Sequence, residues 1–482
     1  MHRMISTLPI ALLSVGAAAV CAAPTQVHIN DSIRGAPSEA NHFIATPKGW
    51  VNPKTPWGEP DISATLNMMQ AAGVPLERCA NSYRPGAPPC DPNKKWLTDE
   101  EYRQRIAAAQ KRGDRSEKLA AKGDIGGALL AGWTDPNIPQ RQTNLIVDPP
   151  DGLLPALTPE GKRRALNMRS DWALPGEDLA FDGPKDFDSW DRCITRGMPS
   201  SMMPYRYNGG FRIWQAPGIV VFELEMIHDS RIIYTDGRPH PSSAIKEYMG
   251  DSKGHWEGDT LVVETTNYKP GPPMINLAVV GSPPGNRFPI SDKMKTTERI
   301  TRLNDATWLY EITTEDPVIL KRPFTVRYPM RNDPSYWWPE YACHEDNTII
   351  PDYVQTSRYE RAHPKPEVAQ PVEVSAELAN ALAGTWVGRP RIPTIDVDIE
   401  LKFTKQPDGK ILGKLIGTNL GKIDKPLRNV KVDERKLNFV LPNIQPWSFA
   451  GQVTADGNIV GVLNSAQGGL PVTFKRTSTD EG

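Results

Sequence analysis

The sequence predicts a mainly β protein: a central antiparallel β-barrel or sandwich, then a second β unit, both behind an irregular and partly helical N-terminal region. Three observations carry this. Proline occurs 47 times in 482 residues, which favours turns, edges and extended connections over long helices. From about Trp133 onward, short apolar runs recur: FRIWQ, GIVVFELEMI, RIIYTDG, TLVVETTNY, TERITRL, TWLYEITTE and FTVRYPM. Each is rich in β-branched or aromatic residues and bounded by Gly, Pro, Asp or Asn, as antiparallel strands are. The last hundred residues add two hairpin signals, VDIELKFTK–PDG–KILGKLIG and NIQPWSFAGQV–ADG–NIVGVLN.

Taken in order, residues 1–22 read as a secretory signal peptide. His2 and Arg3 give a polar, basic start, Ile5 to Val20 is mostly apolar, and small residues follow at Cys21, Ala22 and Ala23. The run contains Pro9 and falls short of the ~20 residues a spanning helix needs. Cleavage after Ala22 is expected, since cutting one residue later would leave Pro24 first. Val20, where a lipobox has a smaller residue, argues against lipidation at Cys21. The expected location is the periplasm or the exterior, with no transmembrane segment. Net charge is −1, and Arg3 leaves with the signal, so there is no positive field to steer nucleic acid.

Residues 23–132 form the irregular region, with a helix expected near 98–122. Thr98 and Glu101 make a capping box there, and EEYRQRIAAAQKR is rich in helix formers. The central β domain spans 133–362, a proline-stiffened linker 363–375, and a C-terminal β unit 376–477. Four cysteines remain after cleavage. An even count in an exported chain reads as disulfides. Of three possible pairings, Cys79–Cys90 closes the loop CANSYRPGAPPC, and Cys193–Cys343 ties the two ends of the central domain.

The C-terminal unit resembles the calycin-type barrels of lipocalins and streptavidin. The resemblance rests on LAGTW, with Gly384 and Trp386, and on FKR, with Arg476 on the last strand. It implies a lipocalin-like β-barrel in which the Trp closes the base and the Arg packs across it. The blocks WTDPNIP, LIVDPPDGLLP, RCITRGMP, MIHDSRIIYTDGRPH, GDSKGHWEGDTLVVETTN and YACHEDN resemble, in order, an uncharacterised family of secreted bacterial proteins. That likeness implies export and a shared architecture and supplies no catalytic residues.

The densest polar cluster is VVFELEMIHDSRIIYTDGRPH. Alternation along a strand would put Glu223 and Glu225 on one face, and Leu224, Met226 and His228 on the other. A Glu in so apolar a run needs a polar cavity, solvent or an Arg. Asp229 and Arg231 fall at or beyond the strand end, His240 follows a turn, and YACHEDN adds His344 and Glu345. Two chemistries fit. In one, His228 or His344 moves a proton, Glu225 and Asp229 are partner carboxylates, and Arg231 or Arg238 steadies an anion. That is lyase- or isomerase-type chemistry on a small organic molecule. In the other, a divalent metal is held by His228, His240 and His344 with Glu345, Asp229 or Glu225, for metal-assisted hydrolysis. A structural polar network at a barrel end competes with both.

Other motifs are weaker. His344-Glu345 starts a zincin motif, but Thr348 stands where the second His belongs, and Pro351 disfavours the helix. Gly250 to Gly254 matches G-x-S-x-G, yet the residues after Ser252 read as turn and strand, so a hairpin loop is expected. Tyr336-Trp337-Trp338 with Tyr341 could line a flat ligand or pack on Pro334 and Pro339. Trp386 and Trp447 are expected in the barrel core. The non-enzymatic alternative is a periplasmic binding protein for an apolar or aromatic ligand.

Overall fold

The computed structural model describes residues 49–71, 73–79, 90–123, 140–171, 174–177, 179–205, 207–270, 287–364, 369–392, 395–442, 447–465 and 468–478. The signal peptide and the WTDPNIP block lie outside the described residues. The protein is mainly β, with a curled ten-stranded sheet, a nine-stranded barrel and, among the described residues, four α-helices.

The ten strands are β1 (Ala64–Asn67), β2 (Ile146–Asp148), β3 (Gly210–Ala216), β4 (Ile219–Leu224), β5 (Ser230–Tyr234), β6 (Asp251–Glu257), β7 (Thr260–Thr266), β8 (Lys295–Asn304), β9 (Thr307–Glu315) and β10 (Phe324–Asn332). All seven apolar runs of the central region are strands here. Strands β3 to β10 follow one another in chain order, and β1 pairs with both β3 and β10, so the ends of the curl meet. β1 comes from the stretch read as irregular. Neighbours are antiparallel except β5 and β6, which pair in parallel at Ile233↔Ser252 and Tyr234↔Lys253. The Gly- and Pro-rich 235–250 connection allows this by carrying the chain back before β6 begins. The expected all-antiparallel arrangement fails at that one seam.

The second sheet comprises β11 (Gly384–Gly388), β12 (Ile399–Lys405), β13 (Ile411–Thr418), β14 (Gly421–Pro426), β15 (Arg428–Asp433), β16 (Lys436–Val440), β17 (Ser448–Val453), β18 (Ile459–Ser465) and β19 (Gly468–Ser478). It is an antiparallel meander whose first and last strands pair. Only Leu427 separates β14 from β15, and its N–H donates to the Gly413 carbonyl at 3.0 Å. One bent strand therefore passes from β13 to β16 and completes the ring. Both predicted hairpins form, β12 with β13 and β17 with β18.

Alternation fills this barrel. Ile399, Leu401, Phe403, Leu415, Phe439, Phe449 and Phe474 are all buried. Phe439 and Phe449 stack with centroids 4.7 Å apart. At Gly388 a Cβ would lie 2.4 Å from the Phe474 ring, so only glycine lets the strands approach there. Trp386 closes the base: its Nε1 donates to the Leu382 carbonyl at 2.8 Å, and the Arg476 guanidinium lies 4.8 Å from its ring centroid.

Helix α1 (Asp99–Ala120) begins at the predicted capping box: Thr98 N–H donates to Glu101 Oε2 at 2.9 Å, and Glu101 N–H returns to Thr98 Oγ1 at 3.3 Å. Thr158 caps α2 (Pro159–Leu166) through Gly161 N–H. Helix α3 is Ile349–Ala362, with Pro351 in its first turn, where a missing N–H costs nothing. As expected, no helix carries His344 to Thr348, which lie in the turn before α3. Ser375 caps α4 (Ala376–Leu382), which seals the barrel base. Both disulfides form, Cys79–Cys90 and Cys193–Cys343, with Cα separations of 5.4 and 5.7 Å.

Candidate functional site

β4 ends at Leu224, one residue before the alternation expected of it gives way. Glu225 opens a single 3-10 turn over Met226–His228, in which Ile227 and His228 take φ of 63° and 53°. Glu223 and Glu225 therefore do not share a face. Glu223 accepts from the exposed Trp214 indole at 2.9 Å, whereas Glu225 is 2% exposed. The Glu225 carboxylate accepts from Asn208 Nδ2 at 2.7 Å, Gly210 N–H at 2.9 Å and the Tyr336 hydroxyl at 2.6 Å. Gly210 is required by closeness, since a Cβ there would sit 2.7 Å from Glu225 Oε2.

His228 is exposed, but its Nε2 accepts the Tyr341 N–H at 3.0 Å. A neutral imidazole has one acceptor nitrogen, and the backbone occupies it. The Tyr341 ring stands edge-on to the imidazole, 6.1 Å away. Asp229 accepts from the Thr195 hydroxyl at 2.6 Å. Burial pushes its carboxyl up to about 6, with the Thr195 hydrogen bond and the charges of Arg196 and Arg231 opposing.

Arg231 points away from these groups, into the curled sheet. It forms a two-pronged ion pair with Glu298, and its Nη2 also reaches Ser252 Oγ and Thr265 Oγ1, both at 3.0 Å. Tyr310 donates to Glu298 Oε1 at 2.6 Å. Arg231, Ser252 and Glu298 are 1–3% exposed. Ser252 lies inside β6 rather than in a hairpin loop, and no helix follows it. The turn falls later, between Glu257 and Thr260.

The remaining candidates make other contacts or stand exposed. His240 Nδ1 contacts Asp251 Oδ2, and Lys253 bonds the same carboxylate at 2.8 Å. Arg238 pairs with Asp236 on the surface. His344 and Glu345 are exposed in the turn before α3. Among the described residues no group of three His, Cys, Asp or Glu side chains could hold a metal ion.

The structure instead assembles an aromatic rim around Glu225 to Asp229. Tyr336 reaches Glu225, and Trp338 lies under the Arg212 guanidinium at 4.1 Å. Tyr341 backs His228, and Trp190 hydrogen-bonds the Tyr341 hydroxyl. Trp190, Tyr205 and Tyr207 form a ring ladder with centroids 5.7 and 4.8 Å apart. Cys193–Cys343 fastens the strand-free 333–348 segment over this rim. Beneath it sits Arg196, 3% exposed, its guanidinium 4.8 Å from the Tyr205 centroid. Among the described residues its Nε and Nη2 meet no hydrogen-bond acceptor. Sequence reasoning passed over Arg196, Thr195 and Asn208. Arg196 stands three residues from Cys193, so following the proposed bridge inward would have found it.

No protein-family model and no curated protein matches the chain. Among solved structures it is similar to a protein of unknown function from the DUF3598 family of Nostoc punctiforme, at 11% identity over 56% of this chain and 87% of that one, with a TM-score of 0.13. It is also similar to two mutant forms of the vaccine antigen transferrin binding protein B from Haemophilus parasuis Hp5, at 8% and 9% identity. Those matches cover 55% of this chain and 64% of those chains, with TM-scores of 0.13 and 0.12. Likeness at these scores does not bear on what the chain binds or does.

Proposed function

We propose that this is an exported, non-catalytic binding protein that takes a small aromatic or apolar molecule at the rim formed by Trp190, Tyr205, Tyr207, Trp338 and Tyr341. The observation that carries the reading is the engagement of His228, Glu225 and Arg231, three of the groups expected to serve acid–base chemistry. The free lone pair of His228 is spent on a backbone N–H, and Glu225 is held by three donors. Arg231 is committed to Glu298 in the interior. Flat rings with polar tips, by contrast, are what small-molecule sites use for shape and orientation. The C-terminal barrel, filled by its own Phe side chains, serves as a solid support.

Tryptophan fluorescence across a panel of small aromatic ligands tests this. A saturable change that is lost in Trp190→Phe is expected. A flat response across the panel overturns it.

A further inference from the structure

The structure assigns Arg196 as the anchor of an anion site, so that the ligand is an aromatic carboxylate; this deepens the binding reading above and rests on it. A guanidinium carries five N–H donors in a fixed fork, and burying it without acceptors costs free energy. Arg196 is nine-tenths buried and more, and its Nε and Nη2, the two donors of one prong, are without acceptors among the described residues. Arg231, buried in the curled sheet, shows one way such a charge is met, by a two-pronged carboxylate, although its own Nε is also without a partner. At Arg196 that position is left for something else.

The surroundings say what kind of group fits. The residues nearest the guanidinium electrostatically are Tyr205, Tyr207, Tyr341 and Tyr328, all neutral phenols. Tyr205, Tyr207 and Tyr341 are half-buried, and Arg196 lies directly against the Tyr205 ring. Because Arg196 is 3% exposed, a ligand reaches the unmet prong by displacing a neighbouring side chain. Asp229 also feels the Arg196 charge, with its carboxylate bonded to Thr195. A second carboxylate can share the guanidinium, while the several charges of a phosphate would meet Asp229. A planar monoanion matches both the fork and the rings.

Thermal shift and calorimetry on the oxidised full-length exported chain test this with benzoate, benzamide, acetate and inorganic phosphate. Benzoate should bind at least about tenfold more tightly than benzamide, a difference near 1.4 kcal/mol. Acetate should be weaker for want of a ring, and phosphate weaker still. In Arg196→Met the gap between benzoate and benzamide should vanish. If that variant does not fold, the wild-type comparison decides alone. Equal binding of benzoate and benzamide would overturn the anion assignment and leave the binding reading standing. No binding of benzoate up to about 1 mM overturns the anion assignment, while the fluorescence panel judges the binding reading separately. Phosphate binding more tightly than benzoate also overturns it.

Discussion

At Arg231 a sequence reading and the fold part company. In β5 the buried positions are Arg231 and Ile233, and Ile232 is 52% exposed. A pattern of apolar residues alone would put Ile232 inside. The strand is set instead by its pairing with β4, where Phe222 faces Arg231 in register, and by Glu298 across the interior. Removing one partner leaves a buried uncompensated charge, so Arg231→Met should cost about 3–5 kcal/mol of stability. The double change Arg231→Met with Glu298→Leu should recover most of that loss, as read from urea midpoints. Asp229 gives a residue-scale pH dependence. Its folded pKa, about 6, lies above the ordinary aspartate value, so the folded state binds the proton more tightly. Its stabilising contribution is present in acid and is lost as pH rises from ~4 towards 6. Asp229→Asn should flatten that part of the stability profile relative to wild type. An unchanged profile would place the proton elsewhere.

Among the elements, the strands were the most legible, because short β-branched runs between turn residues have few other uses. Trp386 and Arg476 were legible too, through the G-x-W start and the last strand, and they meet as the resemblance implied. Trp386→Ala should therefore cost about 3–5 kcal/mol, with the loss confined to a transition that near-ultraviolet circular dichroism follows. Gly388→Ala should cost about 1–3 kcal/mol through overpacking on Phe474. What could not be read was the end of β4. Nothing in FELEMIHD marks Leu224 as the last strand residue. The 3-10 turn depends on Asn208, Gly210 and Tyr336 converging on Glu225, and these lie up to 111 residues away in sequence. The parallel seam between β5 and β6 is illegible for the same reason, since its cause is tertiary.

For the whole molecule, the cysteine pairing reaches furthest. Cys193–Cys343 closes a loop of 150 residues and holds the 333–348 segment against the rim. Its removal should cost about 2–5 kcal/mol and also free the cover of the candidate site. The buried apolar residues of the curled sheet and of the barrel form one continuous cluster, so the barrel braces the sheet that carries the rim. Across that contact, Lys162 pairs with Asp396 at 2.8 Å, and Gly176 packs close to Thr418. The candidate histidines were visible as residue types, but their placement was not, because placement in a curled sheet is set by register rather than by spacing.

The central claim is that a small molecule sits at the disulfide-tethered aromatic rim without being transformed. Native mass spectrometry of the protein recovered from its natural host, beside its Cys193→Ser/Cys343→Ser variant, tests it most directly. The wild type should carry one small organic molecule per chain, and the folded double variant should carry little or none. A wild type recovered empty, or both proteins loaded equally, would contradict it.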